Sequence, residues 1–384
     1  MYKLEGILVK TAAVICEYNP FHNGHKHQLD MARSITGCNG IVALMSGNYV
    51  QRGDFSVYPK QFRARAALSC GADLILENPA IFTLRSAEGY AYSAVYTLNS
   101  LGCIDYLVFG AESDDLTTLK NIAALLVDEP HNYRSALKNE LSQGVSYAAA
   151  RCKAIGKTLG ETAEVIIKQP NNLLAVEYLK ALIRLNSSIE PVLIRRRGAG
   201  HHSEKASGET ASASFIRSQL MSGTEISEYV PNSASEIYSG IHPFNPKNAD
   251  SAILSSLCLC SVKELSETSD ISEGLENKIK SELLTCTSLD ELILSVKSKR
   301  YAYSRIKRSL LCAFLRISSA DSATLPAYIK ILDFNNNGRQ ILNNAKRTSL
   351  LPLAKNASAV LRNNTAMELW KRELAFDRVY EILY

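Results

Sequence analysis

Short apolar runs recur through the first half of the chain at Thr11–Cys16, Ile41–Met45, Asp73–Leu76, Tyr106–Phe109 and Pro191–Ile194. The first four begin about thirty residues apart, the repeat of a strand–helix unit. Between them, Gly24–Ile35, Pro59–Cys70 and Ala87–Leu101 carry apolar residues at helical spacing. All-apolar strands alternating with helices predict an α/β unit whose parallel sheet is covered on both faces. Ligands on such sheets bind at the carboxyl ends of the strands. The unusual residues fall there: Glu17–His25, Ser46–Asp54, Glu77–Pro79, Gly110–Asp115 and Arg195–His202.

Residues 116–160 predict two or three inserted helices, and Asn172–Leu185 and Ser214–Met221 two more. After about residue 245 the alternation stops. Ala249–Leu265, Gly274–Thr285, Leu289–Ile317, Tyr328–Asp333, Arg339–Ala345 and Ala366–Leu383 favour helix. The expected organisation is a catalytic α/β domain over 1–240 and an α-helical domain over 241–384, with the boundary inside Asn232–Lys247.

Composition changes this picture little. The chain has 384 residues, 46% hydrophobic and 21% charged, enough for a sizeable core without disulfide or metal staples. No apolar run approaches the roughly 18–20 residues that span a bilayer, and Glu5 interrupts the short apolar start. No membrane and no secretory signal are expected, which places the protein in the cytoplasm. The nine cysteines form no CxxC pair and read as reduced core thiols. Cys258-x-Cys260 is too weak to make a metal site. The net charge of +5 permits a nucleic-acid partner.

The strongest chemical signal is EYNPFHNGH, Glu17 to His25, directly after the first predicted strand. A helix beginning near Asn23 places His22 and His25 at its amino end, where backbone N–H groups and the helix dipole favour anions. Gly24 lets the backbone approach a ligand, and Asn23 can cap the helix. Two imidazoles and a helix N-terminus suit a triphosphate and would stabilise charge on an α-phosphate as pyrophosphate leaves. The competing readings are a metal-ligating pair or a satisfied turn. A second signal, Ser214-Phe215-Ile216-Arg217, opens a late helix that Ser212 or Ser214 can cap, with Arg217 aimed at its first turn. By itself it is a cap with a surface arginine; beside HxGH it becomes a second phosphate clamp.

Together the two motifs resemble the HIGH nucleotidyltransferase superfamily. The resemblance narrows with SGNYVQRGDFSVYPKQFRARAAL (46–68), GADLILENP (71–79), SAEGYAYSAV (86–95), DYLVFGAES (105–113), QPNNLLAVEYLKAL (169–182), RRRGAGHH (195–202), KRYAYSRIKRSLL (299–311) and FNNNGRQIL (334–342), in that order. That series is similar to the bacterial tRNA(Met) cytidine acetate ligases from Val9 onward. The resemblance implies a Rossmann-like nucleotidyltransferase domain followed by a mostly α-helical tRNA-binding domain. It implies formation of acetyl-AMP from acetate and ATP, then transfer of the acetyl group to the N4 amine of the wobble cytidine of elongator tRNA(Met). ATP is the substrate, Mg2+ is expected with it, and no stable protein partner is implied.

Carried onto this sequence, the family's ATP contacts are Ile15, Cys16, Glu17, Tyr18, Asn19, Pro20, Phe21, His22, Asn23, Gly24, His25, Lys26, His27 and Gln28, then Gly110, Asn171, Arg196, Arg197, Ser214 and Arg217. His22 and His25 are the catalytic pair. The Asn171 role could pass to Asn172. Ser46–Arg65 is the expected acyl and acceptor region, with Arg52, Arg63 and Arg65 around Gly47 and Asn48. Asp54 and Glu77 have ordinary readings as solvated carboxylates. Asn78 and His201 stand where the family pattern leads one to expect Leu and Tyr.

On the RNA side, Val296–Arg308 holds six basic residues and no acidic one. Lys299, Arg300, Arg305, Lys307 and Arg308 are the expected tRNA contacts. As one helix, it would align Arg300, Ser304, Lys307 and Arg308 on one face. Arg339, Lys346, Arg347 and Lys355 could extend the patch. Two other functions fit parts of the pattern: a small-molecule nucleotidyltransferase, and a non-catalytic RNA-binding protein that retains a nucleotide pocket.

Overall fold

The computed structural model describes residues 10–196, 211–298 and 301–384. Its strands are β1 (Thr11–Cys16), β2 (Gly40–Ser46), β3 (Tyr49–Val50), β4 (Asp54–Phe55), β5 (Leu74–Asn78), β6 (Tyr106–Ala111), β7 (Glu190–Arg195), β8 (Ile329–Phe334) and β9 (Leu353–Ala354). Seven of them form one sheet in the order β7-β6-β1-β2-β5-β8-β9, and β3 pairs with β4 in a separate hairpin. The first five in that order are parallel, and β8 runs antiparallel to β5. Every residue of β2 is buried, as an all-apolar central strand requires.

All five strands expected in the first half are present. The helices Asn23–Thr36, Lys60–Ser69, Ala87–Leu101, Pro170–Arg184 and Ala213–Met221 match their predicted spans to within two residues. Leu29, Ala32, Ala64 and Ala67 pack one face of the sheet against Ala12, Val14 and Ile41. Ala94, Leu98, Val176 and Leu179 pack the other against Ala13, Val42 and Leu76. Residues 116–160 hold three helices, Leu116–Asp128, His131–Ser142 and Tyr147–Leu159, within the two or three expected there, and a further short helix, Glu161–Ile167, follows them.

Two later expectations are corrected. Tyr328–Asp333 was expected to favour helix, but it forms β8, whose Ile331 and Lys330 pair with Leu76 and Glu77 of β5. The run is too short for its period to decide, and the open edge of β5 decides it. Leu289–Ile317 is not one helix; it divides into Leu289–Val296 and Tyr303–Phe314. The break falls in the cationic stretch, where like charges oppose helix continuation. Of the face expected to align Arg300, Ser304, Lys307 and Arg308, Arg300 lies outside the described residues and the other three lie on the helix Tyr303–Phe314.

The motif FNNNGRQIL fastens β8 to the start of β5. Asn335 caps the helix Asn336–Thr348 by accepting the Gly338 N–H at 3.0 Å, and its amide donates to Asp73 Oδ1 at 3.0 Å. A Cβ on Gly338 would lie 2.0 Å from the Asp73 carbonyl oxygen, so only glycine fits there. That helix runs from Asp73, before β5, to Leu101, before β6. Arg339, Lys346 and Arg347 thus sit at the amino end of the sheet, opposite the expected ligand end.

The helical remainder shares its core with the first half. Tyr49, Phe55, Ile81 and Phe82 are buried among Phe244, Leu310, Trp370, Phe376 and Tyr380. At the end of β5, Glu77 meets Lys60 at 2.6 Å and Lys330 at 2.7 Å, while Asp377 meets Lys60 at 2.5 Å. Among the described residues, Glu77, Glu373 and Asp377 are the only cluster spaced to hold a metal ion. The two lysine ammonium groups already supply its positive charge. Burial opposes ionisation of Glu77, but Lys60 and Lys330 prevail and hold its carboxyl at about 2. Glu77 is therefore a buried structural ion, not a solvated one.

Candidate active site

The Glu17–His25 loop leaves β1 and turns into the helix Asn23–Thr36. His22, rather than Asn23, is the N-cap. Its Nδ1 accepts the Gly24 N–H at 3.0 Å, and His25 Nδ1 accepts the His22 N–H at 3.3 Å. The rings stack with centroids 3.7 Å apart, and Tyr18 and Phe21 box in His25 at 4.8 and 5.6 Å. With both Nδ1 atoms accepting, each neutral ring carries its proton on Nε2 and keeps that donor for a ligand.

Charge supports the same protonation state. Burial, reinforced by Arg196 and Arg217, pushes His22 down to about 3. Burial, His22 and Arg196 hold His25 well below the usual imidazole range. The pair are preorganised neutral donors, which need no proton to meet phosphate oxygens. A pH prediction follows. In the unfolded chain both histidines titrate near 6.5, whereas the folded protein keeps them neutral. The unfolded state then binds more protons below that value, and stability falls as pH falls. Melting temperatures of the ligand-free protein should decline from pH 7 to pH 5. His22→Asn, which retains a capping side chain, should flatten the decline; an equal slope in both proteins would refute the buried neutral state.

The two arginine motifs reach this loop. Ser212 caps the helix Ala213–Met221, its Oγ accepting the Phe215 N–H at 3.1 Å. Arg217 donates to the Asn19 carbonyl at 2.9 Å and to Ser214 Oγ at 3.3 Å. Arg196 follows β7, and a Cβ at Gly110 would stand 3.1 Å from its Cγ. Asn171 and Asn172 both bind Glu112, just beyond β6. Asn171 Nδ2 donates to Oε1 at 2.6 Å, and the Asn172 N–H donates to Oε2 at 2.8 Å. Asn172 is buried and occupied with the Glu112 and Ser113 N–H groups, so Asn171 is the more accessible of the two. Arg197 and His201 lie outside the described residues.

The rest of the loop is fixed internally. Asn19 Oδ1 accepts the Val57 N–H at 2.8 Å, the Phe21 N–H donates to the Tyr238 hydroxyl at 3.1 Å, and Asn23 Nδ2 donates to the Glu228 carbonyl at 3.1 Å. Lys26 pairs with Asp30, and His27 is exposed on the outer face of the helix. Burial raises the Glu17 carboxyl, whose Oε1 accepts the Gln51 N–H at 2.9 Å. All nine cysteines are free thiols, and Cys16 is buried under the loop.

Arg63 is fully buried and donates to the carbonyls of Tyr58, Glu17, Ser46 and Gly47. It is spent on holding strand ends together rather than open to a substrate. Arg65 lies over the Phe62 ring at 5.9 Å. Asn78, paired in register with Ser46, is buried with neither side-chain oxygen nor nitrogen hydrogen-bonded. The β3–β4 hairpin, which periodicity could not reveal in such short strands, touches Glu17 through Gln51 and the helix Tyr303–Phe314 through Gly53. Gly53 has φ +81°, and a Cβ there would lie 2.6 Å from the Arg308 backbone nitrogen.

The basic segment is tied to that hairpin and to an acidic turn. Lys307 pairs with Asp54. Arg305 donates to Ser272 Oγ at 2.7 Å, and Arg308, only 7% exposed, binds Asp270 at 2.5 Å. Lys299 and Arg300 lie outside the described residues. Arg305, Lys307 and Arg308, the three expected tRNA contacts among the described residues, thus have acidic or polar partners and do not share one open face. Lys355 lies over the Phe334 ring at 5.0 Å. Among the described residues, no helix is long and apolar enough to cross a membrane.

A parallel sheet bearing an HxGH helix start and an arginine clamp at the end of its first strand is the arrangement of a nucleotidyltransferase. The HIGH nucleotidyl transferase family matches residues 9–384, and the chain belongs to it. Relatives described as tRNA(Met) cytidine acetate ligase include one from Halothermothrix orenii, 36% identical over 97% of this chain and 94% of its own length. Another, from Clostridium kluyveri, is 37% identical over 97% of this chain and 98% of its own. Among solved structures, the apo form of Thermotoga maritima TmcAL is similar with a TM-score of 0.92 and 30% identity, covering 98% of this chain and 95% of that one. The form of that protein bound with α-thio ATP gives a TM-score of 0.90 at 29% identity, with the same coverage.

Proposed function

We propose that the protein is an ATP-dependent tRNA(Met) cytidine acetate ligase. The observation that carries the reading is the neutral His22–His25 pair with Arg217 anchored on the same loop, at the carboxyl end of β1. An acetate oxygen attacks the α-phosphorus of ATP, the bond to the bridging oxygen breaks, and pyrophosphate leaves. The Nε2–H groups of His22 and His25 and the guanidinium groups of Arg196, Arg197 and Arg217 meet the charge that develops. The remaining contacts from Ile15 to Gln28, with Gly110, Asn171 and Ser214, surround the nucleotide. Mg2+ enters with ATP as part of the substrate, held by its phosphates.

In the second step the N4 amine of the wobble cytidine attacks the carbonyl carbon of acetyl-AMP. The carbon–oxygen bond to phosphate breaks, AMP leaves with the electron pair, and the amine proton passes to water or phosphate. No protein base is required. Residues 1–240 carry the nucleotide chemistry, and 241–384 supply tRNA contacts through Lys299, Arg300, Arg305 and Lys307, with Arg308 holding their support from within. A small-molecule nucleotidyltransferase would leave that segment without a task. Mass spectrometry of elongator tRNA(Met) incubated with the protein, ATP and isotopically labelled acetate tests the reading. The expected result is one cytidine carrying the labelled acetyl group, only when ATP is present; unlabelled tRNA would overturn it.

A further inference from the structure

Between the nucleotide loop and the basic helix lies a half-open hollow of about 280 Å³ whose lining includes Asp54, Phe55, Ser214, Arg217, Ser218 and Met221. Its position is set by bonds already described. Arg217 holds the Asn19 carbonyl on one side, and Asp54 holds Lys307 on the other. The volume is below the roughly 300–1,000 Å³ of sites for drug-sized ligands, but it suits one nucleobase. Phe55 is among its lining residues and is buried, its ring stacked on Phe244 with centroids 4.9 Å apart, while Ser214, Ser218 and Met221 are exposed.

The geometry points to this cavity as the pocket for the acceptor cytosine, turned out of its RNA, with Asp54 as the residue that selects cytosine. The inference rests on the acetate ligase reading. An enzyme that modifies a base must take it from its stack, and single-stranded RNA bases are read on their Watson–Crick edges against aromatic walls. Cytosine presents an amine donor at N4 and acceptors at N3 and O2. A carboxylate accepts from that amine, and the guanidinium and serine hydroxyls of the opposite wall donate to the acceptors. Uracil would turn its O4 acceptor toward the same carboxylate, an unpaired and repulsive contact that excludes it.

Two variants test the pocket. Met221→Trp fills the cavity from a helix end that is 41% exposed, and Asp54→Asn removes the selecting charge. The measurements are acetate-dependent ATP–pyrophosphate exchange, acetyl transfer to elongator tRNA(Met), and competitive binding of tRNA carrying C or U at the wobble position. Wild-type protein is expected to prefer the C form by about ten- to hundredfold. Asp54→Asn should lose most of that preference, and Met221→Trp should lose transfer while keeping exchange. Absence of exchange in the wild type would refute the parent reading. Normal exchange, with transfer intact in Met221→Trp or the preference intact in Asp54→Asn, would overturn the pocket alone. Should Asp54→Asn not fold because Lys307 is released, Met221→Trp decides.

Discussion

His25→Ala should abolish acetate-dependent ATP–pyrophosphate exchange while the protein remains folded. The His25 ring contributes one Nε2–H donor, held in place by the His22 N–H on its Nδ1 and by Tyr18, Phe21 and His22 around its faces. Loss of one preorganised donor to a developing charge typically costs about 2.7–4 kcal/mol, roughly a hundred- to thousandfold in rate. His22→Ala should match that loss and add destabilisation of about 0.5–2 kcal/mol, because His22 also caps the helix. His22→Asn should recover the stability but not the exchange. That separation distinguishes a catalytic donor from a mere cap. Exchange at the wild-type rate in either alanine variant would remove the pair from the chemistry.

Arg63→Met should produce the largest loss of stability of any single change near the site. Its guanidinium bonds the carbonyls of Glu17, Ser46, Gly47 and Tyr58, all from inside the protein. Methionine fills the volume but donates nothing. Each orphaned buried group costs about 1–3 kcal/mol, against a typical total stability of about 5–15 kcal/mol. A loss of about 3 kcal/mol or more is expected in urea denaturation, with ATP binding weakened because the Glu17 loop is released. A midpoint within a few tenths molar of wild type would show that water replaces the guanidinium.

Much of this was readable from the chain, and the reasons are specific. The strands from Thr11 to Ile194 are short and apolar, and the first four are regularly spaced, so period and length agree. HxGH and SASFIR lie at predictable element starts, and their chemistry is local. What was not readable depends on partners distant in sequence. β8 is a strand because β5 offers an open edge. Arg63 was expected near the substrate, yet it satisfies carbonyls in three loops. Asp54 and Glu77 resemble solvated carboxylates until Lys307 and Lys330 arrive from far along the chain, Lys330 to join the nearer Lys60. The hairpin at Tyr49–Phe55 has strands of two residues, too short to carry a period.

The pairing of β5 with β8 has a consequence for synthesis on the ribosome. About 250 residues separate the two strands, which at roughly 5–20 residues per second is a delay of about 12–50 s. Throughout that interval β5 presents an unpaired, apolar edge, the kind of template on which nascent chains associate. Glu77, near its end, then has neither Lys330 nor the C-terminal helix beside it, and its charge keeps that end of the edge hydrated until the last partner emerges. The ion that ends as a buried structural group thus begins as the edge's own guard against aggregation.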